Sequence, residues 1–345
     1  MKNFKTMLCL FALVVAPLLS FGIAFRNPFF ENVRVFRENA NAMGDSIICY
    51  ADSILNEPDA KAKHIWLSSG HVNHCQTEEL GLGYSADTFL VNVGADLKYS
   101  SLFSFLDRSI MGLFASYADT SLDYKGSESL KGDKTKQNSL TFGFYSGYGL
   151  KRFTIFSSSL FATTKYNNRL SVHSEDNLSG PLKNVEPHTF RGRSTHSNLG
   201  ISYKCPCKRL TIEPMAFLNY ETIMQKKHDD GTISVERQRA SYLQATLGIK
   251  LEVSTSIGSR KAKPHLFVGL ARDLYSRDKL SKTVRDPQGN QVVQTLFKRE
   301  RNSVKIGAGL SILLKDTIAA DVAYQGEYSK HNKASAILVG ISCKF

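Results

Sequence analysis

From His64 to the end of the chain, apolar and polar residues alternate with a period of two over stretches of about ten residues. Val304, Ile306, Ala308, Leu310, Ile312 and Leu314 fall on one face of such a stretch, with Ser303, Lys305, Gly307, Gly309 and Ser311 on the other. Leu243 to Val253, Phe89 to Leu97 and Ile337 to Phe345 repeat the pattern. Successive side chains of a strand point to opposite faces, so the alternation predicts strands with one apolar side. About twelve are predicted, starting near His64, Asp87, Ser109, Asn138, Arg152, His188, Arg209, Arg239, Lys263, Arg299, Thr317 and Ala334. Their polar face repeats glycine as well as charge. That suits the inner wall of a closed barrel better than the water-facing side of a sandwich. The fold class expected is all-β, a transmembrane antiparallel barrel of about twelve strands.

The links between strands alternate in length. Gly149-Leu150, Lys204 to Lys208 and Lys315-Asp316 read as tight turns, with 254–262 a longer link on the same side. The segments 121–136, 165–187, 223–236 and 277–298 read as long polar loops. Short periplasmic turns and long outer loops are the signature of a bacterial outer-membrane barrel. Tyr99, Tyr117, Tyr148, Tyr203, Tyr220, Tyr275, Tyr324 and Tyr328 lie near predicted strand ends, where they would form interface girdles.

Ahead of the strands the period changes. Among the apolar residues Met43, Ile47, Ile48, Tyr50, Ala51, Ile54 and Leu55, several fall at three- and four-residue spacing, which predicts a helix over Arg37 to Leu55. Asn56, Pro58 and Asp59 end it. At the N-terminus, Lys2 and Lys5 precede a nearly unbroken apolar run from Met7 to Leu19, and small residues follow at Ser20, Gly22 and Ala24. This is the layout of a cleaved secretory signal. The domain reading is a signal peptide over 1–24, a short linker segment with a helix over 25–63, and a barrel over 64–345, with the helix inside the pore. Outside the N-terminus no apolar stretch approaches the roughly 20 residues a membrane helix needs, so any crossing is by strands.

Composition changes this picture little. The chain is 42% hydrophobic and 22% charged with a mean hydropathy of -0.21, values a membrane barrel shares because only every second strand residue meets lipid. The net charge of +13 falls to +11 once Lys2 and Lys5 leave with the signal. Basic outer segments holding Lys125, Lys131, Lys134, Lys136, Arg237 and Arg239 could meet lipopolysaccharide phosphates or acidic surface glycans. No nucleic-acid-binding signature accompanies the charge, and no nucleic-acid partner is expected. Cys49, Cys75, Cys205, Cys207 and Cys343 are too sparse for a disulfide scaffold, and Cys205-Pro-Cys207 is too tight for a usual zinc site.

The search for chemistry predicts no enzyme, cofactor or metal. Gly44-Asp45-Ser46-Ile47 resembles the nucleophile block of Gly-Asp-Ser lipases but lacks room for the domain and the downstream Asp-His pair such an enzyme needs. His228, Asp229 and Asp230 on one predicted outer loop, and His71, His74, His173 and His331 on others, form no dyad by spacing. Inward charges carry more weight. Asp96, Lys98, Lys250, Glu252, Lys305, Asp321, Glu327 and Lys344 are expected to face the lumen, pairing with one another or with the helix, or tuning an ion-selective pore.

Several stretches together resemble the translocator (β-domain) of autotransporters, the type V secretion proteins, over about residues 35–345. They are a linker helix, HIWLSSG (64–70), FLVNVGADLKYS (89–100), TFGFYSGYGL (141–150), RLTIEPMAFLNY (209–220), VKIGAGLSILL (304–314), DVAYQGEY (321–328) and ILVGISCKF (337–345). The resemblance implies a twelve-stranded outer-membrane barrel of a Gram-negative bacterium with the linker helix in its pore. Such a barrel passes, or has passed, an N-terminal segment to the cell surface. It implies contact with outer-membrane lipid and lipopolysaccharide, and makes the terminal Phe345 part of the signal read by the barrel-assembly machinery. ENANAMGDS (38–46) resembles a helix that some members cut between paired asparagines. Here Ala40 separates Asn39 from Asn41, so self-cleavage is not carried over. With about a dozen residues between the signal and the helix, almost no passenger is expected. The alternatives are an adhesin acting through basic outer loops and a porin-like channel.

Overall fold

The structure is a computed structural model. It describes residues 29–55, 61–77, 83–99, 108–125, 133–169, 188–229, 234–235, 237–279, 284–285, 291–292 and 301–345. The segment read as a signal lies outside the described residues, as do His173 and Asp230.

The alternating stretches form twelve long strands. In chain order they are β1 (Ala62–Gln76), β2 (Tyr84–Tyr99), β3 (Arg108–Tyr124), β4 (Lys134–Leu150), β5 (Phe153–Arg169), β6 (His188–Tyr203), β7 (Leu210–Gln225), β8 (Gln238–Val253), β9 (Arg260–Lys279), β10 (Asn302–Lys315), β11 (Ile318–Tyr328) and β12 (Asn332–Lys344). Each pairs antiparallel with the next, and β12 pairs with β1 from His64↔Lys344 to Gln76↔Asn332, so the sheet closes. The amide of Phe345 donates to the carbonyl of Lys63 at 2.9 Å and extends this seam by one residue. Closure leaves no unpaired edge, which a lipid environment demands of any spanning sheet.

One end of the barrel is finished by two-residue turns at 151–152, 208–209, 258–259 and 316–317. Lys151, Lys208 and Gly258 have positive φ (52°, 56° and 62°), the left-handed backbone that tight hairpins require. The expected longer link at 254–262 is itself one of these hairpins. Thr255–Ile257 resumes β8 after a one-residue break and pairs with β9, as Cys205–Cys207 resumes β6 and pairs with β7. At the other end, β3 runs to Tyr124 and β4 starts at Lys134, inside the loop expected over 121–136. There the outward face turns polar at Asp119, Ser121 and Asp123, so the apolar alternation fades while the hydrogen-bond ladder continues and Leu122 and Tyr124 stay buried inside. Two outer links also pair with each other, in a small four-stranded sheet of residues 228–229, 234–235, 284–285 and 291–292.

The outward face carries Leu113, Leu270 and Leu247 at 70%, 68% and 66% exposure, within a belt that includes Phe142, Phe161, Leu266, Val268, Ile337 and Val339. A continuous apolar surface of this kind marks contact with membrane or partner. Tyr117, Tyr220 and Tyr275 stand exposed on the same face.

Inside lies helix α1 (Phe29–Leu55), 27 residues and about 40 Å long. It starts eight residues before Arg37, the expected start. Val33 and Val35 are weak helix formers, but Val33, Val35 and Phe36 are buried against the wall, and that packing outweighs local propensity. Val33, Phe36, Ala40, Met43, Ile47, Ala51 and Ile54 form one stripe. They belong to one core with Trp66 of β1, Ile110 and Phe114 of β3, Tyr145 of β4, and Phe156 and Leu160 of β5.

Candidate functional site: the plugged lumen

The helix is fixed to the wall at three levels. At the short-turn end, its last turn contains no basic residue. The exposed carbonyls there attract cations, and the barrel supplies them. Lys98 Nζ donates to the Ile54 carbonyl at 2.8 Å, and Arg108 Nη1 to the Leu55 carbonyl at 3.3 Å. One turn earlier, Asp52 accepts from Lys204 Nζ at 2.5 Å and Lys250 Nζ at 2.7 Å. Lys250 also lies 3.6 Å from Glu213 and 3.3 Å from Glu252, so buried charges of both signs compensate one another.

At the middle level Asp96 is a hub. It is 3% exposed and accepts from the hydroxyls of Tyr145 at 2.7 Å and Tyr50 at 2.9 Å. His64 Nδ1 is 2.9 Å from its other oxygen. Trp66 Nε1 donates to the Tyr145 hydroxyl at 2.8 Å. These contacts join α1 to β1, β2 and β4. Glycines make room for the rings. A Cβ on Gly94 would fall 2.4 Å from the Trp66 ring, and one on Gly112 2.3 Å from the Tyr145 ring.

At the long-loop level, Arg37 makes a two-pronged pair with Asp273 of β9, at 2.7 and 3.3 Å, and stands 5.9 Å from the centre of the Tyr242 ring. Gln137 donates to Asn32 at 2.7 Å and Asn39 to Thr120 at 3.4 Å. Lys305 lies between Glu327 at 3.6 Å and Asp45 of the helix at 4.0 Å. Glu327 accepts from Ser303 and Gln244. Asp321 lines the lumen beside Lys263 and Ser311.

Spacing between strands does not reveal these meetings. The sequence names Arg37 and His64 only as element starts and Tyr50 only as an apolar helix position, and it does not mark Asp52, Asp273, Lys204, Glu213 or Tyr145. One signal was available. Glu38, Asp45 and Asp52 recur every seven residues opposite the apolar stripe, so they share one helix face. Of the residues expected on outer loops, His71 and His74 belong to β1, and His228 and Asp229 to the small four-stranded sheet. His74 Nδ1 is 3.1 Å from the Tyr84 hydroxyl. Asp45 and Ser46 lie in the helix interior, and Cys75, Cys205, Cys207 and Cys343 are free thiols.

Because α1 leans on β1 to β5, space remains beside its acidic face. One void is bordered by Glu38, Asp45 and Asp52 and by the wall from β7 to β12. It meets a second void at Lys250, His265 and Ala323. It meets a third at Glu38, Glu327 and Ala334.

Comparison with known proteins matches residues 68–325 to the family described as Autotransporter beta-domain. No curated protein matches the chain. Among solved structures, the translocator domain of autotransporter NalP from Neisseria meningitidis is similar with a TM-score of 0.64 at 14% identity, covering 91% of this chain and 98% of that one. The β domain of the Bordetella autotransporter BrkA has a TM-score of 0.61 at 13% identity, covering 83% and 100% respectively. The transport unit of AIDA-I from Escherichia coli also has 0.61, at 14% identity, covering 87% and 97%. At these identities the likeness is one of fold.

Proposed function

Because the chain belongs to the autotransporter beta-domain family, and is therefore an outer-membrane translocator barrel rather than a member of an enzyme family, we propose that its lumen delivers the segment upstream of α1 to the cell surface and keeps α1 as the plug. The polarity of α1 carries this reading. Its C-terminus sits at the short-turn end, tied by Lys98 and Arg108, and its N-terminus points toward the long loops. Short turns face the periplasm in such barrels, so a chain entering the lumen at Phe29 enters from outside.

Residues 1–24 serve as the export signal in this reading, 25–63 as the linker, and 64–345 as the inserted barrel. The barrel-assembly machinery takes the last strand and Phe345 as its insertion signal. An epitope tag placed between Ala24 and Phe29 is expected to be reached by antibody on intact cells. A tag reached only after the outer membrane is permeabilised overturns the delivery.

A further inference from the structure

Charge is unevenly spread around the outer rim of the barrel's outward face. On β4 to β8, Lys136, Lys165, Arg191, Arg193 and Arg239 are all exposed there. Cross-strand register gathers four of them. Lys165 lies opposite Arg191, while Arg193 and Arg239 flank Met224 on either side. With strands about 4.8 Å apart and same-face residues roughly 7 Å apart, these cations occupy a patch on the order of 10–15 Å across. Among the described residues, none of the four makes an ion pair. On β2 and β3 the outward rim is acidic instead, with Asp87, Asp119 and Asp123, and there Lys134 is held by Asp123 at 2.8 Å.

Toward the membrane the next two register rows are rich in hydroxyls. Thr195, Thr222 and Ser241 form one row beside Phe161, and Ser159, Ser197 and Tyr220 the next. Ser159 and Ser197 are 3.1 Å apart, as are Thr222 and Ser241. Phe161 already stands in the first of these rows and Leu243 in the second, and Leu199 and Leu218 follow in the next. Hydroxyls aimed at acyl chains have few partners and are costly to place there. Cations at the rim, with hydroxyls and apolar side chains mixed below them and an apolar belt beyond, suit a phosphorylated headgroup over its acyl tails.

We propose that the outer flank of β5 to β8 binds a phosphorylated glycolipid of the outer leaflet, of the lipid A type. Lys165, Arg191, Arg193 and Arg239 hold its phosphates, and the exposed hydroxyls of Ser197 and Tyr220 meet its sugars, with Thr222 and Ser241 buried behind them. Guanidinium groups suit this task because they grip phosphate with two parallel bonds. The inference rests on the outer-membrane reading of the barrel. It adds one located, one-sided site to general contact with lipid.

The test uses the full chain, folded in detergent and titrated with bisphosphorylated lipid A. Bound lipid is counted by native mass spectrometry, and the gel shift between unheated and heated samples confirms a folded barrel in every sample. The variant Lys165→Gln/Arg191→Gln/Arg193→Gln/Arg239→Gln is expected to bind at least tenfold more weakly than wild type. A periplasmic-rim control of equal charge, Arg152→Gln/Arg209→Gln/Arg260→Gln/Lys261→Gln, is expected to bind as wild type. Dephosphorylated lipid A is expected to bind wild type and the four-site variant alike. Equal affinity of wild type and the four-site variant, or equal loss in both variants, overturns the site. If the four-site variant does not fold, Arg191→Gln/Arg193→Gln carries the same comparison. A wild-type chain without a heat-dependent gel shift removes the barrel reading itself, whereas a shifted barrel indifferent to lipid phosphate removes only this inference.

Discussion

Asp96 joins the helix to two strands of the wall through a single carboxylate. Its carboxylate serves Tyr50 from the helix, His64 from β1 and Tyr145 from β4, and Trp66 reaches it through Tyr145. Removing one member of a buried charged network leaves the others unsatisfied, at a cost of about 3–5 kcal/mol. Asp96→Ala is therefore expected to lower markedly the temperature at which the folded gel band disappears, and Asp96→Asn to lower it less, because an amide oxygen still accepts. Equal melting of Asp96→Ala and wild type would show that the hub carries no stability. Gly112→Ala acts on the same group from the other side. A methyl 2.3 Å from the Tyr145 ring must displace it, and overpacking of this kind costs about 1–3 kcal/mol. Alternation along a strand tells which side of the sheet a residue takes. It does not tell that His64, Asp96 and Tyr145 meet, because that depends on register between strands and on the depth of a helix none of them belongs to.

Helix α1 was half legible. From Arg37 onward its apolar period is plain, whereas the first eight residues include Val33 and Val35, which locally favour strand. They are helical because the lumen wall buries them, including Val35 among Tyr84, Ala86, Leu122 and Tyr124. The strands were more legible, since each observed start lies within four residues of its expected one. The misjudged parts are the links, where strands continue while their outward face turns polar, as at Asp119, Ser121 and Asp123. The ion pairs of α1 divide it into an end held by Asp52 and an end held by Arg37. Asp52→Ala leaves Lys204 and Lys250 without their carboxylate on the helix, and Glu213 and Glu252 then draw them back to the wall. The expected result is a folded barrel whose backbone amides around residues 48–55 exchange with solvent at least tenfold faster. Unchanged exchange there would assign the anchoring to the apolar stripe and the capping by Lys98 and Arg108 alone.

For the molecule as a whole, closure and filling are separate matters. Closure runs through β12 and β1 and ends at Phe345, whose backbone bonds Lys63 while its ring, 72% exposed, faces outward. Deleting Phe345 is expected to lower the yield of heat-modifiable barrel in the outer membrane several-fold, with refolding in detergent affected much less, since the lost ring makes outward contacts only. A loss of the same size in detergent would place its role in the stability of the seam. Filling is lopsided, because α1 packs against β1 to β5 and the space beside its acidic face runs from Arg301 and Asn302 down to Ser311 and Ser342. Glu38, Asp45, Asp52, Lys250 and Lys305 border that space, and charged groups of this kind hold water beside them. The protein with its helix in place is therefore expected to pass small ions across a planar bilayer at low conductance. Lys305 stands in that path between Asp45 of the helix and Glu327 of the wall. Replacing it by glutamate puts three acids together, so Lys305→Glu is expected to shift the reversal potential in a salt gradient toward the cation potential. If the shift is absent while the conductance persists, ions follow another route through the lumen. If wild type passes no ions at all, the voids do not join.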